Sequence, residues 1–248
     1  AVISPAKSLD YKSSYPSMPP TRPEFEADAL TLARAAARMP AKKLGQLMHI
    51  SDALATLNAE RFRGFEEAQE RPAIFAFAGD VYVGFEVKSM DEEAIRYGQH
   101  HLRILSGLYG LLRPLDSIRP YRLEMGTKWA PRRKSLYSWW GDRIAERLAE
   151  DAEAAGGTII NLASNEYWSA VAGRLPGQLR VVEIDFREQG PDGLRFNSFA
   201  AKRARGMMAR YICEHRIEEA EALKGFDSDG YAFDPANSCA RSWRFTRS

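Results

Sequence analysis

Between Leu105 and Gly126 the chain reads LSGLYGLLRPLDSIRPYRLEMG. This sets Arg113, Asp116, Arg119, Arg122 and Glu124 among Ser106, Tyr109 and Tyr121. Arginine offers a planar, permanently charged fork that matches phosphate or carboxylate. Glycines at 107, 110 and 126 let backbone N–H groups come close to a ligand. The stretch is therefore predicted to be polar and anion-receptive, lying at the surface or around a cleft rather than in the core. A structural ion-pair network is the alternative reading of the same charges.

Four further clusters carry comparable chemistry. Ser4-Pro5-Ala6-Lys7 follows Val2-Ile3, which reads as the end of a short buried strand, and precedes Asp10. Strand ends are where α/β folds place ligand groups; an ordinary surface turn is the alternative. Gly79-Asp80-Val81-Tyr82 puts a carboxylate into an apolar run. An unpaired carboxylate is costly to desolvate, so Asp80 needs a cationic partner or a wet cleft. Asn161-Leu162-Ala163-Ser164-Asn165-Glu166-Tyr167 spans a strand-to-helix junction, whose free N–H groups attract anions. Glu166 could equally be a plain cap partner there. Lys202, Arg203, Arg205 and Arg210 fall on one helix, with Lys202 and Arg205 three apart on a shared face. A charged face that is merely solvated is the competing explanation.

Other chemistries lack a pattern. The histidines at 49, 100, 101 and 215 show no HExxH and no Cys/His ligand spacing, so no metal and no cofactor is expected. There is no GxSxG, no Walker A sequence and no GxGxxG. Nothing in the sequence supports Cys213 as a nucleophile.

The elements that position these groups alternate between strand and helix. Helical composition runs from Glu24 to Met39, and two short helices over Lys42–Ser51 and Asp52–Phe62 meet at a tight turn. Ala73–Val87 reads as strand-rich with a break at Gly79-Asp80. Ser89 and Glu92 form a capping-box pair ahead of a helix to about His101. Leu136–Ala155 reads as one amphipathic helix, with Trp140, Ile144 and Leu148 on a stripe. Thr158–Ala163 is a buried strand, capped into a helix by Ser164 or Asn165. Leu179–Phe186 and Leu194–Phe199 make a hairpin around Gln189–Gly193. Ala200–Arg216 is a basic helix, and YAFD and SWRFT are short terminal strands. Together these predict one α/β domain over residues 1–248 with a mixed sheet flanked by helices. A boundary near Gly64–Pro72 is the alternative.

The totals fit this frame. The chain has 248 residues, 45% hydrophobic and 27% charged, with a net charge of +2. It can bury a substantial core and is no polycation, so nucleic-acid binding would need local clustering of Lys and Arg. The two cysteines suggest reduced thiols in a cytoplasmic setting. No apolar run reaches the roughly 18 residues that span a bilayer, and the first residues do not resemble a signal peptide.

Several blocks, in order along nearly the whole chain, resemble the YaaA family of bacterial peroxide-stress proteins. They are ISPAKSLDY (3–11), FAGDVYVGF (77–85), HHLRILSGLYGLLRPLDSIRPYRLEMG (100–126), NLASNEYW (161–168), FAAKRARGMMARY (199–211) and GFDSDGYAFD (225–234). The resemblance implies a cytoplasmic protein that keeps iron-driven damage low under peroxide and binds double-stranded DNA. It also implies a compact fold, named cantaloupe, with a positively charged cleft and a helix-hairpin-helix element at about 42–62. In that element Lys42, Lys43, Arg61 and Arg63 could meet phosphates. Its turn, His49-Ile50-Ser51-Asp52, lacks a Gly-x-Gly that would bring amides onto a phosphate. The proposed cleft gathers Ser4, Lys7, Asp10, Asp80, Tyr82, Ser106, Tyr109, Arg113, Asp116, Tyr121, Arg122, Glu124, Asn161, Ser164, Glu166, Tyr167, Lys202 and Arg205. Carboxylates beside Arg, Lys and Tyr keep a rival open, an enzyme that works on a small anionic or nucleotide-like substrate by acid–base chemistry. A non-catalytic binding module for such an anion is the third reading.

Overall fold

Val2–Ile3, only two residues long and fully buried, is the centre of the molecule. In the computed structural model, which describes residues 1–191 and 193–248, this strand pairs in parallel with Arg103–Ser106 on one side and Thr158–Leu162 on the other. Thr158–Leu162 is parallel to Arg180–Gly190, which is parallel to Ser242–Arg247. Antiparallel strands Tyr231–Phe233 and Gly110–Leu112 close the two edges. Among the described residues the sheet has eight strands, the eighth being Gly193–Arg195, which pairs back onto Arg180–Gly190. Parallel strands need both faces covered. Helices Glu92–His101, Arg143–Ala154 and Ser198–Glu214 supply that cover with buried Ile95, Ile144, Leu148, Met208 and Ile212. Arg71–Pro72 pairs with Ser117–Ile118, so the chain is not divided near residue 70 and forms one domain.

The connection leaving Val2–Ile3 reaches the sheet again at Arg103–Ser106, on one side. The connection leaving Thr158–Leu162 departs to the other side, at Arg180–Gly190. A crevice opens where neighbouring parallel strands send their connections in opposite directions. Ser4 and Ala163 follow the two strands that border it.

The structure corrects several sequence expectations. Ala73–Val87 is mostly helical: a turn at Ala73–Ala76, two strand residues Phe77–Ala78, then a helix Asp80–Phe85. β-branched and aromatic content reflects burial here, and tertiary packing decides the conformation. Asp80–Phe85 crosses Ser198–Glu214 so closely that a Cβ on Gly84 would meet the Arg203 carbonyl at 2.0 Å, and one on Gly206 would meet the Val81 carbonyl at 1.8 Å. The helix Glu92–His101 is capped by Asp91, whose carboxylate accepts from Ala94 N at 2.7 Å, while the Ser89 hydroxyl donates to the Glu86 carbonyl. The helix foreseen over 136–155 is two, Leu136–Trp140 and Arg143–Ala154, because Gly141 takes φ 53°. The hairpin's return strand stops at Arg195, since Asn197 caps the next helix by accepting from Phe199 N. Its predicted turn includes residue 192, which lies outside the described residues.

The largest correction concerns 105–126. Leu105, Leu108, Tyr109, Leu111, Leu112, Leu115, Ile118, Tyr121, Leu123 and Met125 are all buried, so the stretch is as much core as site wall. Gly107 serves backbone packing rather than ligand approach: a Cβ there would lie 2.2 Å from the Leu123 carbonyl.

Gly206→Ala should force the two crossing helices apart. The expected cost is roughly 3 kcal/mol, at the upper end of overpacking penalties, and a fall in Tm of about 6–12 °C in thermal denaturation.

Candidate functional site: a crevice at the sheet switch point

Ser4 ties the crevice together. Its hydroxyl accepts from Ser164 N at 2.9 Å and donates to the Ser164 hydroxyl at 3.3 Å, while its carbonyl accepts from the Tyr82 hydroxyl at 3.2 Å. Behind it, Asn161 Oδ1 accepts from Ala163 N at 2.9 Å and Asn161 Nδ2 donates to Glu183 at 2.6 Å, which shapes the turn out of the strand. The resulting cavity has a volume of about 640 Å³. Of the residues singled out in the sequence, it is lined by Ser4, Lys7, Asp80, Ser164, Glu166, Tyr167, Lys202 and Arg205.

The charges inside are loosely held. Lys7 Nζ is 3.9 Å from Glu124 with its side chain 65% exposed, and Lys202 Nζ is 3.9 Å from Asp80 with its side chain 50% exposed. Exposed pairs at such spacing contribute little to stability. Glu166 accepts from Gly126 N at 3.0 Å, and the Tyr137 hydroxyl donates to the Glu166 carbonyl at 2.7 Å. Arg205 lines the cavity with its Nε buried and without a hydrogen-bond partner among the described residues. Burial lowers the proton affinity of Arg205, opposed by Asp185 and Glu183, and an arginine remains charged throughout.

Other expected members stand behind the wall. Arg122 Nε donates to Glu124 at 2.9 Å, and both side chains are mostly buried. Ser106 and Tyr121 share a 2.7 Å hydrogen bond, and the Tyr109 hydroxyl accepts from Arg119 N at 3.0 Å. Burial raises the hydroxyls of Tyr82, Tyr109, Tyr121 and Tyr167 above the usual tyrosine range. They stay protonated at neutral pH, which removes them as general bases.

Three expectations fall elsewhere. Asp10 does not line the cavity; it accepts from Lys12 N and Ser13 N and pairs with Lys88 at 3.3 Å. Its carboxyl is held below the usual range, chiefly by the Ser13 amide. Arg113 and Asp116 pair with each other, beside a second concavity that includes Arg103. Arg103 begins its strand whereas Ser4 follows the end of a parallel neighbour, so the two concavities open at opposite ends of the sheet. Lys42 and Lys43 are exposed on helix Ala41–Met48, and Arg63 ends helix Asp52–Arg63. Between these helices His49 takes a left-handed φ of 52°.

Two features near the crevice went unremarked in the sequence. The loop 127–135, TKWAPRRKS, leaves and returns beside Glu166, because Leu136 N donates to the Thr127 carbonyl. Lys128, Arg132, Arg133 and Lys134 on it are exposed and have no carboxylate within ion-pair reach among the described residues. Its signal was the charge run itself. Phe196, which lines the crevice, and Phe199 are 51% and 69% exposed. An aromatic on each side of a helix cap was the available clue.

The crevice lies at the switch point of an α/β sheet, the position where folds of this class place ligands. The family model described as "Peroxide stress protein YaaA" matches residues 1–237, and the chain belongs to that family. A UPF0246 protein of Rhizorhabdus wittichii is 58% identical over 248 residues, covering 99% of this chain and 98% of the relative. One from Caulobacter vibrioides is 49% identical over 250 residues, covering 99% and 98%, and one from Jannaschia sp. is 50% identical over 251 residues, covering 100% and 96%. Among the described residues no helix is long and apolar enough to cross a membrane, and no three His, Cys, Asp or Glu side chains group as metal ligands.

Two measurements check this geometry. Arg122→Ala leaves Glu124 largely buried with only the distant Lys7, so the urea midpoint should fall by an equivalent of about 1–3 kcal/mol. Burial pushes the Cys213 thiol up to about 12, so iodoacetamide at pH 8 should label exposed Cys239 and spare Cys213 in the native protein, as read by peptide mass.

Proposed function

We propose that this chain binds double-stranded DNA by phosphate contacts along the rim of the switch-point crevice, and that this occupancy limits iron-driven damage under peroxide stress. One observation carries the reading: two segments beside the crevice are rich in cations and contain no acid of their own. Residues 193–213 contain Arg195, Lys202, Arg203 and Arg205, besides Arg210 paired with Glu86 and Glu214, and no Asp or Glu, and 127–135 contain four cations and none. Arg195 and Arg203 are exposed and have no ion-pair partner among the described residues, whereas Arg119, Arg122 and Arg143 are held by carboxylates. Cations left for solvent are available to phosphates. Contacts of this kind position a protein on DNA without reading sequence.

The link to iron follows from the same electrostatics. Ferrous ion is a counterion of the phosphate backbone, and a protein that neutralises phosphates releases counterions from its footprint. Hydroxyl radicals formed from peroxide and released iron then arise away from the strand. The helix pair, through Lys42, Lys43 and Arg63, is a secondary contact. Its turn carries Asp52, which opposes a phosphate there.

A second reading is favoured by the unpartnered Nε of Arg205, which lines the cavity. An enzyme acting on a small anionic or nucleotide-like substrate would use that guanidinium to hold the anion, with Asp80 or Glu166 for proton transfer.

Binding of a short duplex should weaken steeply with salt. Lys7→Ala combined with Lys202→Ala should reduce the log–log salt slope by about 2, near 0.9 for each phosphate no longer neutralised. A slope near zero, or one that the rim changes leave intact while Lys42→Ala with Lys43→Ala removes it, would assign the crevice another role. Loss of peroxide protection in Glu166→Gln with duplex binding intact would favour the enzyme.

A further inference from the structure

Resting on the duplex-binding reading, we infer that the crevice receives a single unpaired nucleotide of the bound DNA, whose base stacks on Phe196. A duplex sits across the rim but cannot enter a cavity of about 640 Å³. That volume suits a ligand of nucleotide size. Any part of DNA reaching the interior must therefore be one residue turned out of the stack, as proteins that handle bases require.

The lining fits that guest. Phe196 lines the cavity and is half exposed, so its ring is open to a guest there. Arg187 backs its ring at 5.4 Å and is itself fixed by Asp185 at 2.9 and 3.0 Å. The chain just after the ring is anchored by Asn197, which accepts from Phe199 N and donates to Glu188 at 2.9 Å. A ring supported behind and fixed in its backbone is a stacking platform, and base stacking tolerates every base. Phe199, with Lys202 Nζ 5.6 Å from its ring, stands one helical turn before Lys202 on the basic lip.

The carboxylates that trouble a pure phosphate site find a use here. Asp80 and Glu166 inside the cavity accept hydrogen bonds from the ring N–H and exocyclic amine groups that pairing normally covers. Lys7 and Lys202 at the mouth meet the flanking phosphates. Binding should thus favour duplexes in which one nucleotide is already unpaired, because the cost of unstacking is then prepaid.

The test compares a fully paired duplex with one carrying a single-nucleotide bulge, using fluorescence anisotropy and 2-aminopurine at the bulge. The bulged duplex should bind about tenfold tighter, as expected for one stacked base, with a change in 2-aminopurine emission on binding. Phe196→Ala should collapse the preference toward one in a protein whose circular dichroism is unchanged. A ratio near one in the unaltered protein, with paired duplex still bound, overturns the inference. So does a preference that survives Phe196→Ala. Binding of free deoxyadenosine monophosphate more tightly than of the bulged duplex would assign the crevice to a small molecule and also overturn it. Failure to bind any duplex would instead sink the duplex-binding reading on which it rests.

Discussion

The hydrogen bonds at Ser4 join three segments that are far apart in sequence. The hydroxyl holds the start of the turn at Ser164 and the carbonyl holds Tyr82, at the end of a central strand two residues long. A strand that short contributes few ladder bonds of its own. Its end is nevertheless where a mixed sheet divides its connections, so the side chain at position 4 replaces the ladder that stops there. The crevice opens where the two connections diverge, and these contacts fix the strand ends that border it. Every cation and carboxylate in it is placed relative to that junction.

The structure divides its charges into two populations. Arg103, Arg119, Arg122 and Arg143 meet carboxylates at 2.6–2.9 Å and stitch loops to the core. Lys7, Lys128, Arg132, Arg133, Lys134, Arg195, Lys202 and Arg203 face water, Lys7 and Lys202 of them lining the crevice. A net charge of +2 conceals this separation completely, since buried pairs cancel in the sum while exposed cations do not. Fold integrity depends on the first population, while the second is left to solvent.

Much of the frame was legible in the sequence. The strands at Val2–Ile3 and Thr158–Leu162, the hairpin, the basic helix and the two terminal strands follow from periodicity and turn residues. The polar positions at Ser4 and Ser164, which line the cavity, were legible too, because polar residues just after buried strands mark crevices in α/β folds. The failures share a physical origin. Residues 105–126 alternate charges with leucines and tyrosines, and only the three-dimensional packing shows that the apolar members go inward while Arg113 and Arg122 cap them. The helix Asp80–Phe85 has strand-like composition, and its conformation is decided by the partner helix more than a hundred residues away. Arg113 and Asp116 are near Arg122 in sequence but open onto the opposite end of the sheet, a distinction that depends on strand direction.

The close approach of Gly84 and Gly206 to the facing backbone has a consequence for the crevice itself. Where helices are separated by side chains, their spacing follows rotamers and can shift as neighbours repack. Here backbone meets backbone, and the two helices that carry Asp80 and Lys202 are spaced by peptide geometry. The opening between those two charged groups is thus a fixed gauge. Its width tracks covalent dimensions, and surface substitutions elsewhere can retune its charge while leaving its aperture unchanged.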